Sequence, residues 1–140
     1  MLRITVTQVA ATPQRIPPSP DGAPGVVVRG GNLVIGDWPA HGVAREVAPL
    51  HVHHADDEAW HVISGALRFR FEDREEIAPA GSTALVPAGV PHTFGNAGPE
   101  PSRFIFIVPT RLDALISQLD ETDPSQHPEI YRSHESDLLE

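Results

Sequence analysis

The chain has 140 residues, no cysteine and a formal net charge of −9 at pH 7. A chain of this length predicts one domain with one hydrophobic core, and the missing thiols exclude disulfides and sulfur-ligated metals. The acidic balance argues against non-specific nucleic-acid binding, which depends on neutralising phosphates with basic side chains. All ten basic residues are arginines, so Schiff-base catalysis by a lysine amine is excluded.

The same composition gives no sign of a membrane or secreted protein. No run of eighteen apolar residues occurs, so no membrane-spanning helix is predicted. Residues 1–18 have neither the basic head nor the apolar stretch of a signal peptide. We therefore expect a cytoplasmic protein with no nucleic-acid or membrane partner.

Prolines and glycines divide the first part of the chain into short apolar segments. Fifteen prolines and eleven glycines are typical of many short strands joined by turns rather than of a helical bundle. A strand over residues 3–9 precedes a proline-rich stretch at 12–25, which is predicted to be an extended arm because proline does not suit a sheet interior. Further strands are predicted at residues 25–30, 32–38, 58–63, 66–71, 83–87, 92–96 and 103–108.

The period of the apolar residues changes after Pro109, which ends the β domain predicted over residues 26–109. Four apolar side chains then recur at helical spacing: Leu112, Leu115, Ile116 and Leu119. Thr110, three residues before Asp113, predicts a capping box. Residues 110–140 are thus interpreted as a short C-terminal amphipathic helix, packed on the sheet, and a tail. The polarity of residues 127–140 leaves open whether the tail adds another helical turn.

Four of the eight histidines and three consecutive acids fall in the segment PLHVHHADDEAWHVISG, residues 49–65. His51 and His53 are two residues apart, so on a strand their side chains point to one face and can converge on one ion. His54 points away by the same parity. Without further pattern such a segment is a solvated polar loop.

The position of Glu58 requires a turn after the first two histidines, because seven residues separate it from His51. Asp56 and Asp57 are turn-forming residues, and an antiparallel strand starting near Glu58 can return its carboxylate beside the two imidazoles. Parity along that strand sends His61 to the opposite face, which makes it a weak ligand candidate.

A second segment, GSTALVPAGVPHTFGN at residues 81–96, adds a further imidazole. It is interpreted as a turn at Gly81, a buried strand, a tight turn in PAGVP and a strand that brings His92 into the interior. Phe94 shares the face of His92. The two segments together predict a site built from imidazoles and a carboxylate.

Over residues 32–108 the sequence resembles the cupins, in particular their small single-domain members. Four residues match the first cupin motif with its spacing: His51, His53, Glu58 and Gly65. Five residues match the second cupin motif: Gly81, Pro87, Gly89, His92 and Asn96. The gap between the motifs, residues 66–80, is at the short end for the family.

The resemblance implies an all-β fold, a double-stranded antiparallel β-helix or jelly-roll barrel. It also implies a divalent transition metal inside the barrel, with four ligands: His51, His53, Glu58 and His92. Gly65, Gly81 and Gly89, with Pro87 and Pro91, are expected to shape the turns that aim these ligands. Asn96 is expected to be structural, with its amide bonded to backbone near a turn.

Three neutral imidazoles and one carboxylate leave one net positive charge on a divalent ion and, in an octahedral shell, two open positions. Such nitrogen and oxygen ligands do not separate Fe, Mn, Ni, Co or Zn. A purely structural zinc is disfavoured, because such sites are normally closed and tetrahedral with sulfur ligands.

By parity an apolar, partly aromatic wall surrounds the ion, and it includes Leu67 and some of residues 104–108. The substrate-pocket candidates are Trp60, Val62, Phe69, Phe94 and Phe106. Ordinary core packing explains most of them, whereas Trp60 and Phe94 flank the ligands. Such a pocket suits a small planar or enolisable molecule that binds the metal through an oxygen.

Three functions fit these features. The leading hypothesis follows from a resemblance to quercetinase-like cupins and is a dioxygenase-like oxidoreductase, in which Glu58 is both metal ligand and catalytic proton acceptor. The second is a cupin isomerase, lyase or polyketide cyclase that uses the metal as a Lewis acid. The third is a non-catalytic small-molecule-binding module. His41, His54, His61, Asp56 and Asp57 are placed on the surface or outside the cavity.

We also expect a homodimer. The resemblance to small cupins implies such a dimer. The arm at residues 1–25 has a strand that can be added to the edge of a partner's sheet.

Overall fold

The computed structural model describes residues 5–6, 26–40 and 46–140. The proline-rich arm predicted at residues 12–25 and His41 lie outside these ranges. The described strands, in chain order, are β1 (Thr5–Val6), β2 (Val26–Arg29), β3 (Leu33–Ala40), β4 (His51–His53), β5 (Glu58–Ser64), β6 (Ala66–Phe71), β7 (Glu75–Pro79), β8 (Thr83–Val86), β9 (His92–Asn96), β10 (Ser102–Pro109) and β11 (Ser136–Leu138).

These strands form two facing sheets. One has the order β1-β2-β3-β10-β5-β8 and the other the order β11-β4-β9-β6-β7. Strand β1 is parallel to β2, and the other described pairs are antiparallel. The fold is the all-β jelly roll that the sequence predicted. The addition of the arm's strand to a partner's sheet, and with it the homodimer, stays a prediction.

Alternation of side chains along the strands places the core between the sheets. In β10, Phe104, Phe106 and Val108 are buried while Ile105 and Ile107 are partly exposed. This strand lies between β3 and β5, so its inward face meets the centre of the barrel. Burying one such side chain contributes roughly 1.5–3 kcal/mol to folding.

Strands β7 and β11 were not predicted from the sequence. Strand β7 lies at the edge of its sheet and is largely exposed, so its sequence, EEIAP, lacks the buried alternation that marks a half-buried strand. Strand β11 is three residues long and pairs with β4. It places the end of the chain directly beside the first two histidines.

After β10 the chain forms helix α1 (Thr110–Glu121), a 3-10 helix (Pro124–Gln126) and helix α2 (His127–Ser133). The amphipathic helix is confirmed, and the tail does add a second one. The predicted capping box is wrong, because the N-cap is Pro109 and no side chain caps the helix. Asp113 instead binds Arg29, with distances of 2.8 and 3.0 Å, which ties the helix to β2.

Two glycines show why the turns need this residue. Gly65 has φ of +70°, and a Cβ there would lie 2.7 Å from the Pro101 carbonyl oxygen. Gly89 has φ of +87°, and its N–H donates to the His53 carbonyl at 2.8 Å. A side chain at either position is disfavoured by its positive φ, and the Gly89 turn fastens the loop before β9 to β4.

Candidate metal centre

The two sheets bring the four predicted metal ligands together inside the barrel. His51 and His53 come from β4, His92 from the neighbouring β9, and Glu58 from β5 in the facing sheet. All four are buried, and one potential donor atom from each lies within 4.8 Å of the others. Across the β4–β9 pair, His51 lies directly opposite His92.

Glu58 reaches the cluster by a route that differs from the expected one. The turn after His53 and the strand starting at Glu58 are both present. That strand, however, lies in the facing sheet rather than beside β4. The carboxylate therefore approaches from across the interior, and its Oε1 lies 2.9 Å from His53 Nε2 and 2.8 Å from His92 Nε2.

Each imidazole is oriented through its Nδ1 atom. The Nδ1–H of His51 donates to the Pro49 carbonyl at 2.7 Å, and that of His92 donates to the Val90 carbonyl at 2.9 Å. His53 Nδ1 lies 2.7 Å from the hydroxyl oxygen of Ser136. With Nδ1 engaged, Nε2 is the nitrogen that each ring presents to an ion.

Burial and mutual contacts set the charge states of this cluster. The pKa of His51 is lowered to about 4, mainly by burial and also by the neighbouring His92 and His53. Burial acts to raise the pKa of Glu58, but hydrogen bonds from His53 and His92 outweigh it and hold that pKa far below its usual range. The same contact with Glu58 raises the pKa of His92 against the effect of burial.

The cluster therefore fits a divalent transition metal. An ionised carboxylate and neutral imidazoles are the forms that bind metal, and His51 and Glu58 hold these forms at neutral pH. The donors are nitrogen and oxygen, which suits Fe, Mn, Co, Ni or Zn without choosing among them. The four residues could hold such an ion.

A cavity of about 40 Å³ adjoins the four ligands. Its other lining residues are Trp38, Val47, Ala48, Phe94, Phe106, Leu112, Leu115, Ile116, Leu119 and Tyr131. Of the five predicted pocket residues, this wall contains Phe94 and Phe106. The other three, Trp60, Val62 and Phe69, are 0, 0 and 2 % exposed and lie outside the described lining.

Trp60 instead packs in the core, next to the ring of His92. Its ring lies 6.0 Å from the His92 ring and 5.0 Å from the Phe69 ring, centroid to centroid. The parity argument placed these side chains correctly on the inward face, but facing sheets are about 10 Å apart and inward side chains fill the space between them. Inward residues away from the ligands therefore belong to the packed core.

The C-terminal helices close this cavity. The apolar stripe of α1, expected only to pack on the sheet, supplies four of the lining residues. From α2, the Tyr131 ring lies 5.5 Å from the His51 ring and is nearly parallel to the His53 ring at 6.4 Å. No motif marks Tyr131 in the polar tail, and the sequence reasoning missed it along with Trp38 and Ser136.

Tyr131 brings a phenol to the wall of the cavity. The side chain is 3 % exposed, and its hydroxyl makes no hydrogen bond to the residues that the structure describes. Burial, with the charge of Glu58 adding, raises its pKa well above the usual range of a phenol. The phenol is therefore protonated at neutral pH and can donate a hydrogen bond.

The remaining candidates lie away from the cavity. His54 is exposed and lies 2.9 Å from the Asp137 carboxylate, and His61 lies 2.8 Å from the Thr83 hydroxyl on the outward face. Asp57 accepts the Ala88 N–H at 2.8 Å. Asn96 donates to the carbonyls of Gly98 and Glu100, the structural role predicted for it.

Among the helices of the described residues, none has the length and hydropathy needed to cross a membrane.

Comparisons with known proteins agree with this geometry. A family model described as a cupin domain matches residues 43–108. A solved protein from Klebsiella pneumoniae with a double-stranded β-helix domain is 33% identical, with 67% of this chain and 82% of that chain covered and a TM-score of 0.52. A search of curated proteins found no match.

Two more distant structures share the fold. A Bacillus halodurans protein is 21% identical, covers 61% of this chain and 67% of its own, and has a TM-score of 0.53. A sugar phosphate isomerase from Silicibacter pomeroyi is 23% identical, covers 56% and 51% of the two chains, and has a TM-score of 0.51. From its motifs, its fold and its likeness to the Klebsiella protein, the chain belongs to the cupin superfamily.

Proposed function

We propose that this protein is a metal-dependent enzyme of the dioxygenase type that acts on a small enolisable or aromatic molecule. The observation that carries the proposal is the buried group of three histidines and Glu58 beside an almost wholly apolar cavity wall. A metal held there by these four side chains would supply a redox-active or Lewis-acidic centre at the cavity.

The wall favours an uncharged substrate. Apart from the four ligand residues, the described lining carries neither arginine nor any acid, and the sequence has no lysine. Phosphate groups are normally bound by arginine, lysine or a metal with paired donors. The described wall thus offers no guanidinium or ammonium group to a sugar phosphate, the substrate class in the name of the Silicibacter pomeroyi protein. It favours a molecule that contacts the protein through apolar surface.

The cavity also limits the size of the substrate. About 40 Å³ is room for roughly three water molecules, since one requires about 10–15 Å³. Dioxygen or a few ligand atoms fit this space. A ring-sized substrate requires the apolar side chains of α1, or Tyr131 of α2, to move aside.

Two side chains have the chemistry to assist turnover. Hydrogen bonds from the Nε2 atoms of His53 and His92 make the Glu58 carboxylate a weak base. Glu58 can accept a proton from an enolisable substrate when these two Nε2 atoms bind the metal instead. Tyr131, protonated at neutral pH, can donate a hydrogen bond to a substrate oxygen in the cavity.

Oxygen uptake tests the proposal. With Fe, Ni or Mn installed, oxygen consumption should match the loss of a flavonol-like or diketone-like substrate. Glu58→Gln should lower turnover more than metal content, because it removes the proton acceptor and keeps an amide oxygen as a donor.

Two other outcomes separate the alternatives. Equal turnover in an oxygen-free chamber, or with zinc as the metal, would replace the oxygenase with the Lewis-acid isomerase, lyase or cyclase. Binding without conversion across a panel of enols, sugars and polyketides would favour the binding module.

A further inference from the structure

One of the three imidazoles is oriented in a different way from the other two. His51 and His92 each donate to a backbone carbonyl two residues earlier in the chain. His53 lies 2.7 Å from the side chain of Ser136, 83 residues later. Its orientation therefore depends on how the end of the chain docks.

The direction of this hydrogen bond follows from the other contact of the hydroxyl. Ser136 O–H donates to the His134 carbonyl at 3.0 Å, which leaves its lone pairs to accept from the imidazole. In this bond the Nδ1 atom of His53 must therefore be protonated and act as the donor. Both side chains are buried, 1 and 5 % exposed for Ser136 and His53, so bulk water does not compete for this bond.

The backbone of the last strand fixes the position of the hydroxyl. Ser136 is directly opposite His53 in the β4–β11 register. On one side the His54 N–H donates to the Glu135 carbonyl at 2.8 Å, and on the other the Leu139 N–H donates to the Leu50 carbonyl at 2.9 Å. The two bonds bracket Ser136 and hold it against the imidazole.

We propose that Ser136 is a positioning residue of the metal centre, whose hydroxyl fixes the ring orientation and tautomer of His53. Metal affinity then depends on docking of β11 on β4. The inference rests on the metal binding that the proposed function requires. Loss of a hydrogen-bond partner to a metal-bound histidine typically weakens metal affinity about 10- to 100-fold, and we expect Ser136→Ala to fall in that range.

Cobalt titration of the metal-free protein tests this role, with Co²⁺ as the probe and its visible absorption as the signal. Ser136→Ala should bind Co²⁺ about 10- to 100-fold more weakly and show a shifted absorption band, because a reoriented His53 changes the ligand field. A general loss of stability does not shift the band of the folded fraction. Ser133→Ala is the matched control, since that exposed hydroxyl donates to the Ile130 carbonyl in α2 and has no contact with His53.

A second pair of variants covers the case in which the alanine variant does not fold. Ser136→Thr and Ser136→Val have the same shape and differ only in the hydroxyl. The threonine variant should bind Co²⁺ at least tenfold more tightly than the valine variant.

The outcomes separate this inference from the proposed function. The role of Ser136 is overturned, and the metal site left intact, if the wild type binds Co²⁺ well and the variants do not differ in affinity. The comparisons are Ser136→Ala with Ser133→Ala, and Ser136→Thr with Ser136→Val. A wild type that binds no Co²⁺ overturns both.

Discussion

The strands that hold the predicted ligands and the C-terminal segment that covers them contribute in different ways. Residues 51–96 supply the four donors, and residues 110–140 supply the apolar cover, the phenol of Tyr131 and the hydrogen-bond partner of His53. The donors determine which ion can bind. The cover determines what else fits beside it.

The two regions also differ in how strongly their sequence is constrained. Four donors must meet within a few ångströms, which fixes residue types and their spacing along the three strands that carry them. A cover needs only apolar side chains at helical spacing, a pattern shared by any amphipathic helix. The same cavity is therefore marked by motif on one side and by no motif on the other.

Removing a donor should give the largest effect. His92→Ala deletes one of four ligands and should lower bound metal sharply. His61→Ala, on the same sheet as Glu58 but facing outward, should keep the wild-type content. Elemental analysis of the purified proteins measures both. Equal metal content in His92→Ala and wild type would show that the ligand set is wrong.

Opening the cover should give a smaller effect, mainly on stability. Leu115 is 1 % exposed and lines the cavity, so Leu115→Ala should lower the free energy of unfolding by about 2–5 kcal/mol while metal content stays near wild type. Leu139→Ala, at a side chain that is 45 % exposed, is the control and should cost little. Urea unfolding measures the difference, and a clear loss of metal in the folded Leu115→Ala protein would contradict the division between donors and cover.

This division decides what could be predicted from the sequence. Strand parity and the turn at residues 54–57 predicted that His51, His53 and Glu58 meet, although the strand of Glu58 lies in the facing sheet rather than beside β4. The second motif added His92. The partners of Ser136 and Tyr131 lie more than 70 residues away along the chain, and no local pattern encodes such a distance. The capping box failed for a related reason, since the long-range ion pair with Arg29 takes the carboxylate of Asp113.

The two regions should also respond to opposite ends of the pH scale in the metal-free protein. The pKa of His51 falls from 6.5 to about 4 on folding, so the unfolded chain binds more protons between these values and stability should rise with pH across them, by up to about 3 kcal/mol. Burial raises the pKa of Tyr131 well above its ordinary value of 10.0. The folded chain keeps this proton longer, so stability should fall as pH rises above 10.

Two further groups sharpen the acid side of this profile. The lowered pKa of Glu58 gives stability that is present above pH 4.5 and lost on acidification, and the raised pKa of His92 gives stability that is present below pH 6.5 and lost as pH rises. Maximum stability is thus expected near pH 6.5. Thermal unfolding from pH 4 to 11 measures it. Stability that is flat between pH 4 and 6.5 would contradict the buried neutral state of His51.

The smallest expected effect comes from the phenol of the cover. Tyr131→Phe keeps the ring that packs against His51 and His53 and removes a hydroxyl that has no hydrogen-bond partner among the described residues. Stability and metal content should therefore change little. If the hydroxyl donates to a substrate oxygen, binding of an enol or diketone to the metal-loaded protein should weaken by about 0.5–1.5 kcal/mol, or roughly two- to tenfold, as measured by calorimetry. An unchanged substrate affinity would show that the Tyr131 hydroxyl does not bind the substrate. The C-terminal segment would then contribute only packing and the orientation of His53.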